Sequence, residues 1–257
     1  MGYLIQRVPW GVQRASGPVG IDWNNNLTRN LVFAIHGEAG YRELVSGKAA
    51  FRPGLDGMRG SVNGAAFNKV QPWGSYSNVT LFEAPRKSYS AFTIVGQHSN
   101  VSEKQGYTGF MGAVQSNLTA DGKLNLWDNN SGTSMTAVTL MFQVPGSAWN
   151  SSYTVYSSTT TYTNAFPIWQ GNKVYSASWD KDANSGYGRC FYDGVEITRS
   201  GGSANTGVSN WTQSSAPAYL FVGGTFTGAA NFLYIFDRAL TPEEHLSIAR
   251  NPSQLIR

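Results

Sequence analysis

Cysteine is almost absent from this 257-residue sequence, and charged residues are scarce. Cys190 is the single cysteine, so no disulfide can form within the chain, and a disulfide-stabilised secreted fold is excluded. Charged residues make up 13% of the chain, about half the usual share, and no run of Lys or Arg of the type that binds nucleic acids occurs. We therefore expect no nucleic-acid partner, although the formal net charge is +4.

Long apolar runs and nucleotide-binding motifs are absent as well. No apolar segment approaches the roughly 20 residues that cross a bilayer, so we expect no membrane partner. Residues 1–18 lack the basic and apolar regions of a signal peptide, so we expect no secretion by that route. No P-loop and no dinucleotide-binding glycine motif follows a predicted strand, so no cofactor is expected.

Glycine, aromatic residues and short apolar segments are abundant. The chain holds 29 Gly, and 41% of its residues are hydrophobic, which suffices for a sizeable core without metals or disulfides. Residues 31–35 are all apolar, which is typical of a central strand buried on both faces. Asp193-Gly194 is a strong hairpin signal. Further strands are predicted at residues 91–95, 123–127, 174–179, 189–192, 195–198, 218–222 and 231–236. The pattern predicts an all-β sandwich or barrel, in which residues 146–166 form either polar strands or a long loop.

One short helix follows the last predicted strand. Thr241-Pro-Glu-Glu244 is a capping box with Pro at the first helical position, and Pro252 ends the pattern, so the helix is predicted over residues 242–250. Residues 1–27 show no sustained period but are rich in apolar and aromatic side chains, which predicts an extended arm that docks on a surface. The predicted organisation is an arm at 1–27, a body at 28–251 and a tail at 252–257.

Three segments in the last third of the chain carry a family likeness. They are Trp179 followed by Phe191-Tyr-Asp-Gly-Val195, then Leu220-Phe-Val-Gly-Gly224, then residues 232–244. In this order they resemble laminin-G-like jelly rolls, which are related to legume lectins and pentraxins. The resemblance implies a concanavalin A-like sandwich of two sheets, although Ala230-Asn231 stands where the family usually has an acidic residue.

The two ends of the sequence carry a second, narrower resemblance. The motifs Val8-Pro-Trp10, Ile21-Asp-Trp23 and Leu27-Thr-Arg29, and the ending Ala249-Arg-Asn-Pro-Ser-Gln-Leu255, look like virion proteins of tailed bacteriophages. This resemblance implies a non-enzymatic structural protein of the capsid-decoration type, located in the virion and assembled in the host cytoplasm. It further implies a homo-oligomer that contacts the major capsid protein or another virion protein, with the sandwich facing outward. The arm residues expected to make that contact are Arg7, Trp10, Arg14 and Trp23.

Enzymes on related folds cleave glycosides with two carboxylates that face one sugar. The sequence lacks the clustered acids that such enzymes place on one strand, so we expect no catalytic residues, and a glycanase is the least favoured function. The closest acid pairs are better explained by turns and helix capping; they are Asp180/Asp182, Asp193/Glu196 and Glu243/Glu244. Asp180, Asp182 and Asn184 alternate as the ligands of a calcium loop do, but the acid that should close such a loop is missing, so we expect no bound metal.

An alternative function is carbohydrate binding, for attachment to a glycan on a host-cell surface. Trp127, Asp128 and Asn129 combine an aromatic ring with carboxylate and amide groups at a strand end, as sugar sites do. The competing interpretation is a core tryptophan followed by a turn. The histidines at positions 36, 98 and 245 lack the spacing of metal ligands, so we expect structural roles for them.

Overall fold

A computed structural model describes the chain at residues 19–36, 42–48, 58–61, 64–69, 80–83, 87–100, 108–114, 120–128, 135–143, 149–162, 171–210, 219–222 and 228–257. Within these ranges no helix is long and apolar enough to cross a membrane. The ranges contain one α-helix, α1 (Pro242–Arg250). The strands are β1 (Leu31–His36), β2 (Met58–Ser61), β3 (Gly64–Lys69), β4 (Thr80–Glu83), β5 (Ser88–Tyr89), β6 (Ala91–Asn100), β7 (Thr108–Val114), β8 (Ala120–Asp128), β9 (Met135–Gln143), β10 (Trp149–Tyr162), β11 (Gly171–Asp180), β12 (Arg189–Tyr192), β13 (Val195–Ile197), β14 (Arg199–Gly201), β15 (Ser209–Asn210), β16 (Tyr219–Val222) and β17 (Gly228–Phe236).

The strands form two large sheets in which every described pair is antiparallel. The first sheet has the order β13-β12-β11-β6-β17-β3-β2, and β1 also pairs with β17. The second sheet has the order β14-β10-β9-β8-β7-β16-β4, and a two-stranded sheet joins β15 to β5. The predicted all-β class with one short C-terminal helix is confirmed, and most of the undecided segment 146–166 is the long strand β10.

Two local signals produce the expected structures. Asp193 and Gly194 both have positive φ, 49° and 79°, as the turn between β12 and β13 requires. At the start of α1, Thr241 Oγ1 accepts the Glu244 N–H at 3.3 Å, and Glu244 Oε2 accepts the Thr241 N–H at 2.9 Å. This reciprocal capping box satisfies donors that the first helical turn would otherwise leave unpaired. The helix therefore begins and ends where the sequence predicts.

The first sheet is buried on both of its faces. Residues 174–179 of β11 and residues 232–236 of β17 are all buried. Because successive side chains of a strand point to opposite faces, both faces must be covered. Tyr175, Ala177 and Trp179 share one face, as the alternation predicts, and α1 lies on the opposite face through Ser176 and Ser178. The opposite face, which we call the outer face, carries side chains of the same strands at the intervening positions.

A layer built from two distant parts of the chain covers the outer face; we call residues 19–28 and 240–257 the terminal layer. Its segments pair antiparallel at Ile21 and Ile256. Gly20 and Arg257 exchange two backbone hydrogen bonds of 3.0 and 2.9 Å, and the Asp22 N–H donates to the Leu255 carbonyl at 2.9 Å. The apolar side chains of this layer and of the outer face form one buried cluster, which includes Ile21, Ile248, Leu255, Val95, Val174 and Tyr234.

A buried polar network also joins α1 to the outer face. The His245 ring lies between two hydroxyls of β11, with Nδ1 2.7 Å from Ser176 Oγ and Nε2 2.7 Å from Ser178 Oγ. Thr93 Oγ1 extends the network, since it lies 2.6 Å from Ser178 Oγ. Phe191 stacks on the imidazole, with ring centroids 3.7 Å apart. These hydrogen bonds therefore fix the rotation of α1 about its own axis and its position along β11.

The electrostatic environment keeps this histidine neutral. Burial, with the nearby positive charges of Arg189 and Arg238, lowers the pKa of His245 to about 3. Burial likewise lowers the pKa of His36 to about 4. Both ring nitrogens of His245 are occupied, and both serine hydroxyls are buried. The serine–histidine contacts thus hold the fold together and expose no nucleophile.

Strand β1 departs from the sequence expectation in its neighbours. Among the described strands it pairs with β17 alone, whereas a central strand has two neighbours. Its other edge meets a turn: the Ala34 N–H donates to Glu43 Oε1 at 2.7 Å, and the Leu44 N–H donates to the Ala34 carbonyl at 2.8 Å. The buried carboxylate also accepts the N–H groups of Val45 and Ser46, at 2.9 and 2.5 Å. The strand is buried because this turn and the terminal layer cover it.

Replacing Gly194 with alanine should destabilise the fold by about 2–4 kcal/mol. Gly194 has a φ of +79°, and an added Cβ would lie 2.6 Å from Leu246 Cα and 3.0 Å from Ala249 Cβ, so the hairpin and α1 would have to separate. Urea unfolding followed by tryptophan fluorescence measures the change. Gly20→Ala is the matched control, because its Cβ meets nothing within 4 Å. A Gly194→Ala protein as stable as the wild type would contradict this packing.

The free energy of unfolding should fall as the pH is lowered from about 6.5 towards 4. In this window the unfolded chain binds protons at His36 and His245 while the folded chain does not, because burial lowers their pKa values to about 4 and about 3. Each histidine contributes up to about 1.4 kcal/mol per pH unit. Urea unfolding at several pH values measures this slope, which His245→Gln should make shallower. Equal slopes in the two proteins would contradict a neutral, buried His245.

Candidate functional site

Trp23 is the one predicted arm residue that lies within the described ranges, and its indole is 55% exposed. Large aromatic side chains usually remove most of their surface from water, so an indole left half in solvent is available to a partner. Arg7, Trp10 and Arg14 lie outside the described residues. Trp23 is therefore the predicted arm contact whose surroundings the structure describes.

The turn that carries Trp23 is held rigidly on the body; we call residues 22–26 the terminal turn. Asn25 provides the main attachment: its Nδ2 donates to the Gln254 carbonyl at 2.9 Å, and its Oδ1 accepts the Leu27 N–H at 2.9 Å. Asp22 is tied down by its backbone hydrogen bond to the C-terminal segment. The indole thus projects from a fixed base, and its neighbours Asn24 and Asn26 are exposed with it.

A polar cleft of about 530 Å³ opens beside the terminal turn, between the start of β1 and the first turn of α1. Asn26 belongs both to the terminal turn and to the cleft. The residues that line the cleft are Asn26, Arg29, Asn30, Arg238 and Glu244. We call this group the polar cleft. Its size lies within the range of small-molecule sites.

Hydrogen bonds fix one wall of the polar cleft. Arg238 donates two parallel hydrogen bonds to Glu244, from Nη1 to Oε2 at 2.6 Å and from Nη2 to Oε1 at 2.7 Å. Its Nε donates to the Arg29 carbonyl at 3.1 Å, which ties the turn before β1 to the residues after β17. Partial burial opposes ionisation of Glu244, but hydrogen bonds from Arg238 and from the Thr241 N–H keep its pKa below the ordinary value.

The charges of the polar cleft do not balance. Arg238 is neutralised by Glu244, whereas the exposed Arg29 guanidinium forms no hydrogen bond or ion pair with any other described residue. The cleft therefore offers one unpaired guanidinium, two asparagine amides and a neutralised ion pair. Such a set can bind an anion and hydroxyl groups together. Among the described residues no three His, Cys, Asp or Glu side chains come together as a metal site would require.

Two of the three residues predicted for sugar binding, Trp127 and Asp128, lie in the second sheet. Strand β8 ends at Asp128, so Trp127 and Asp128 stand at a strand end as predicted. Their side chains, and Asn129 altogether, lie outside the described part of the structure. This site stays a prediction.

The three weak metal candidates lie at the end of β11 and in the turn that follows it, where each has a local partner. Asp180 Oδ1 accepts the Asp182 N–H at 2.9 Å, and the Asp182 carboxylate pairs with Lys181 at 2.6 Å. Asn184 Nδ2 donates to the Tyr187 carbonyl at 3.2 Å. These contacts are those of a solvated turn.

The remaining acid pairs also have structural partners. Asp193 Oδ1 accepts the Val174 N–H at 2.9 Å, and Glu196 Oε1 accepts a hydrogen bond from Arg189 at 2.7 Å. Glu244 is held by Arg238, as described above, and Glu243 lies in the first turn of α1. The members of the predicted acid pairs therefore lie in turns, between paired strands and at the start of the helix.

The polar cleft was not among the sites predicted from the sequence. Trp23-Asn-Asn-Asn26 nevertheless repeats the combination of an aromatic ring and amides found at Trp127, Asp128 and Asn129. The pattern alone does not say which tryptophan is exposed. It also gives no hint that Arg238 and Glu244, more than two hundred residues away in sequence, complete the cleft.

No protein-family model matches this sequence, and no curated protein matches it. Solved structures do match. The receptor-binding domain of botulinum neurotoxin type G has a TM-score of 0.54 at 12% identity, over 86% of this chain and 51% of that one, so this chain spans about half its length. Domain 4 of AbnA, a GH43 extracellular arabinanase from Geobacillus stearothermophilus in complex with arabinotriose, has a TM-score of 0.50 at 16% identity, over 86% of this chain and 98% of that one.

A Trypanosoma rangeli sialidase also matches, with a TM-score of 0.50 at 11% identity, over 94% of this chain and 37% of that one. At such identities the likeness concerns the fold alone. That fold occurs in parts of glycan-cleaving enzymes and in non-enzymatic lectin-type domains. The chain thus has a jelly-roll fold of the concanavalin A-like kind.

Proposed function

We propose that this chain is a non-enzymatic structural protein of a bacteriophage virion. It attaches to the major capsid protein or another virion protein through residues 1–27, and its sandwich faces outward. The observation that carries the proposal is Trp23, an exposed indole on a base that the rest of the fold holds in place. The resemblance of both ends of the sequence to tailed-phage virion proteins supplies the setting.

Trp23 suits the role of an anchor because its turn is held in place before a partner binds. Tryptophan is the residue type most enriched among the side chains that dominate protein interfaces, and such anchors contribute about 2 kcal/mol or more. An anchor on a rigid turn loses little conformational entropy when it binds. Asn25 and the pairing of Ile21 with Ile256 provide that rigidity. In a virion, repeated copies of the chain would add avidity without new contacts.

Replacing Trp23 with alanine should lower the copy number of the chain on purified particles about tenfold or more, because the docking anchor is lost. The copy number is measured by quantitative mass spectrometry of gradient-purified virions that were assembled with each variant. Val208→Ala is the matched control, since Val208 is 59% exposed and lies outside the terminal layer. Both variants should unfold at the wild-type temperature. Unchanged occupancy with Trp23→Ala, or particles that lack the wild-type chain, would contradict the proposal.

A second candidate function is carbohydrate binding for attachment to the host surface. Two observations favour it: the polar cleft beside an exposed tryptophan, and the likeness of the whole fold to an arabinanase domain whose structure contains arabinotriose. Sugar sites combine a flat apolar ring with a few fixed polar groups. The acid pairs singled out in the sequence lie in turns, strand pairs and the helix start, and a glycanase remains the least favoured function.

If this second function holds, the full-length chain should bind at least one class of glycan on a printed array, in a concentration-dependent manner. Bound protein is detected by fluorescence of a labelled chain. The heat-unfolded protein is the control for nonspecific adsorption. Signals no higher than those of the unfolded chain across the whole array would contradict carbohydrate binding.

A further inference from the structure

We propose that the polar cleft and the terminal turn together bind an acidic saccharide, with the carboxylate of the sugar on Arg29 and a sugar ring face against Trp23. This inference rests on the second candidate function, carbohydrate binding, and adds to it the ligand class and the residues. It moves the site from the predicted Trp127 to a different part of the fold, at the terminal layer.

Arg29 favours an acidic ligand. Arg29 is one of the residues that line the polar cleft; it is exposed, and its side chain has no carboxylate partner among the described residues. The other guanidinium of the cleft, on Arg238, is already matched by Glu244 through two hydrogen bonds. One positive charge is therefore left over. A guanidinium presents parallel N–H groups that match the two oxygens of a carboxylate, so a sugar acid fits this position better than a neutral sugar does.

The side chains around the Arg29 charge favour a saccharide. Asn26 and Asn30 each supply an amide that can donate to one hydroxyl and accept from another. The Asn30 Nδ2 also makes a long contact of 3.5 Å to the Asp237 carbonyl, which leaves its second N–H and its Oδ1 for a ligand. Trp23 stands three positions before Asn26 in the same turn, and it is an exposed aromatic residue. A small inorganic anion could use Arg29 and the N–H groups of the amides, but it would leave the amide oxygens and the indole without a role. A carboxylate attached to a polyhydroxylated ring engages all of them.

The site is also held in shape before any ligand arrives. The Arg238 Nε contact to the Arg29 carbonyl joins the two walls of the cleft, and the Asp237 N–H donates to the Asn30 carbonyl at 2.8 Å. Asn30 itself has a φ of 61°, a conformation that asparagine tolerates better than most residues. Groups fixed in this way lose little entropy on binding, which favours measurable affinity from few contacts.

The test compares acidic and neutral sugars on the intact chain by isothermal titration calorimetry. The probes are trigalacturonate and sialyllactose as acidic saccharides and lactose as the neutral counterpart. At least one acidic probe should bind, and Arg29→Met should weaken it about tenfold or more, because a charge-assisted hydrogen bond is lost. Trp23→Ala should weaken it to a similar degree. Raising the NaCl concentration from about 0.05 to about 0.5 M should also weaken binding.

The matched controls are Arg250→Met for the charge and Val208→Ala for the apolar side chain. Both residues are exposed and neither lines the polar cleft, so binding should stay within about twofold of the wild type. Thermal unfolding confirms that each variant is folded. Arg29→Met should leave particle occupancy unchanged, which separates this site from docking to the virion.

Three results would overturn the inference in distinguishable ways. Binding of lactose as tight as that of the acidic probes, with no effect of Arg29→Met, would refute the charge pairing while carbohydrate binding stands. Binding that Trp127→Ala abolishes and that Trp23→Ala and Arg29→Met leave intact would refute the location. No binding of any saccharide, here or on the array, would refute both the inference and the second candidate function. None of these results bears on virion docking, which particle occupancy tests separately.

Discussion

The contact on which the rest of this molecule depends is the antiparallel pairing of residues 20–22 with residues 255–257 on the outer face of the first sheet. A sheet whose strands are apolar at consecutive positions exposes a second hydrophobic face when it folds, and that face must be covered. Here two segments at opposite ends of the described chain cover it together. Ile21 and Leu255 enter the same buried cluster as Val95 and Val174, so neither segment can leave without exposing the sheet. The His245 network then sets the position of α1 within this layer, because both ring nitrogens are hydrogen-bonded to β11 in the interior.

This arrangement explains where the candidate site lies. The terminal turn and the polar cleft are both edges of the terminal layer: Asn25 holds the turn to Gln254, and Arg238 joins the start of β1 to the start of α1. The contacts that hold the terminal layer on the sheet therefore also fix the side chains of the candidate site. A partner protein and an acidic saccharide would make different use of the same surface, the first through Trp23 and the preceding residues, the second through Trp23 and Arg29. Both proposals use Trp23 as an anchor. Arg29 distinguishes them, because only saccharide binding depends on its charge.

Local features of the fold could be predicted from the sequence because their causes are local. The capping box at Thr241 and the turn at Asp193-Gly194 follow from backbone donors and from φ angles that few residues tolerate. The position of β1 could not be predicted, because an apolar run reports burial and does not say whether a strand, a turn or a helix provides it; here Glu43 and the terminal layer do so. The polar cleft could not be predicted either, since its walls come from residues that only the tertiary pairing brings together. Two similar Trp–Asn patterns stand in the sequence, and composition alone cannot tell which ring faces solvent.

Hydrogen–deuterium exchange of the intact chain tests the central claim most directly, because it reports whether the terminal layer is part of the stable fold. The amides of Gly20, Asp22 and Arg257 each donate to a backbone carbonyl across the pairing. The account predicts that they exchange slowly, with protection comparable to that of residues 232–236 in β17. Exchange at the rate of an unstructured peptide in those three amides, with β17 still protected, would contradict it, since the terminal turn and the polar cleft would then have no fixed base.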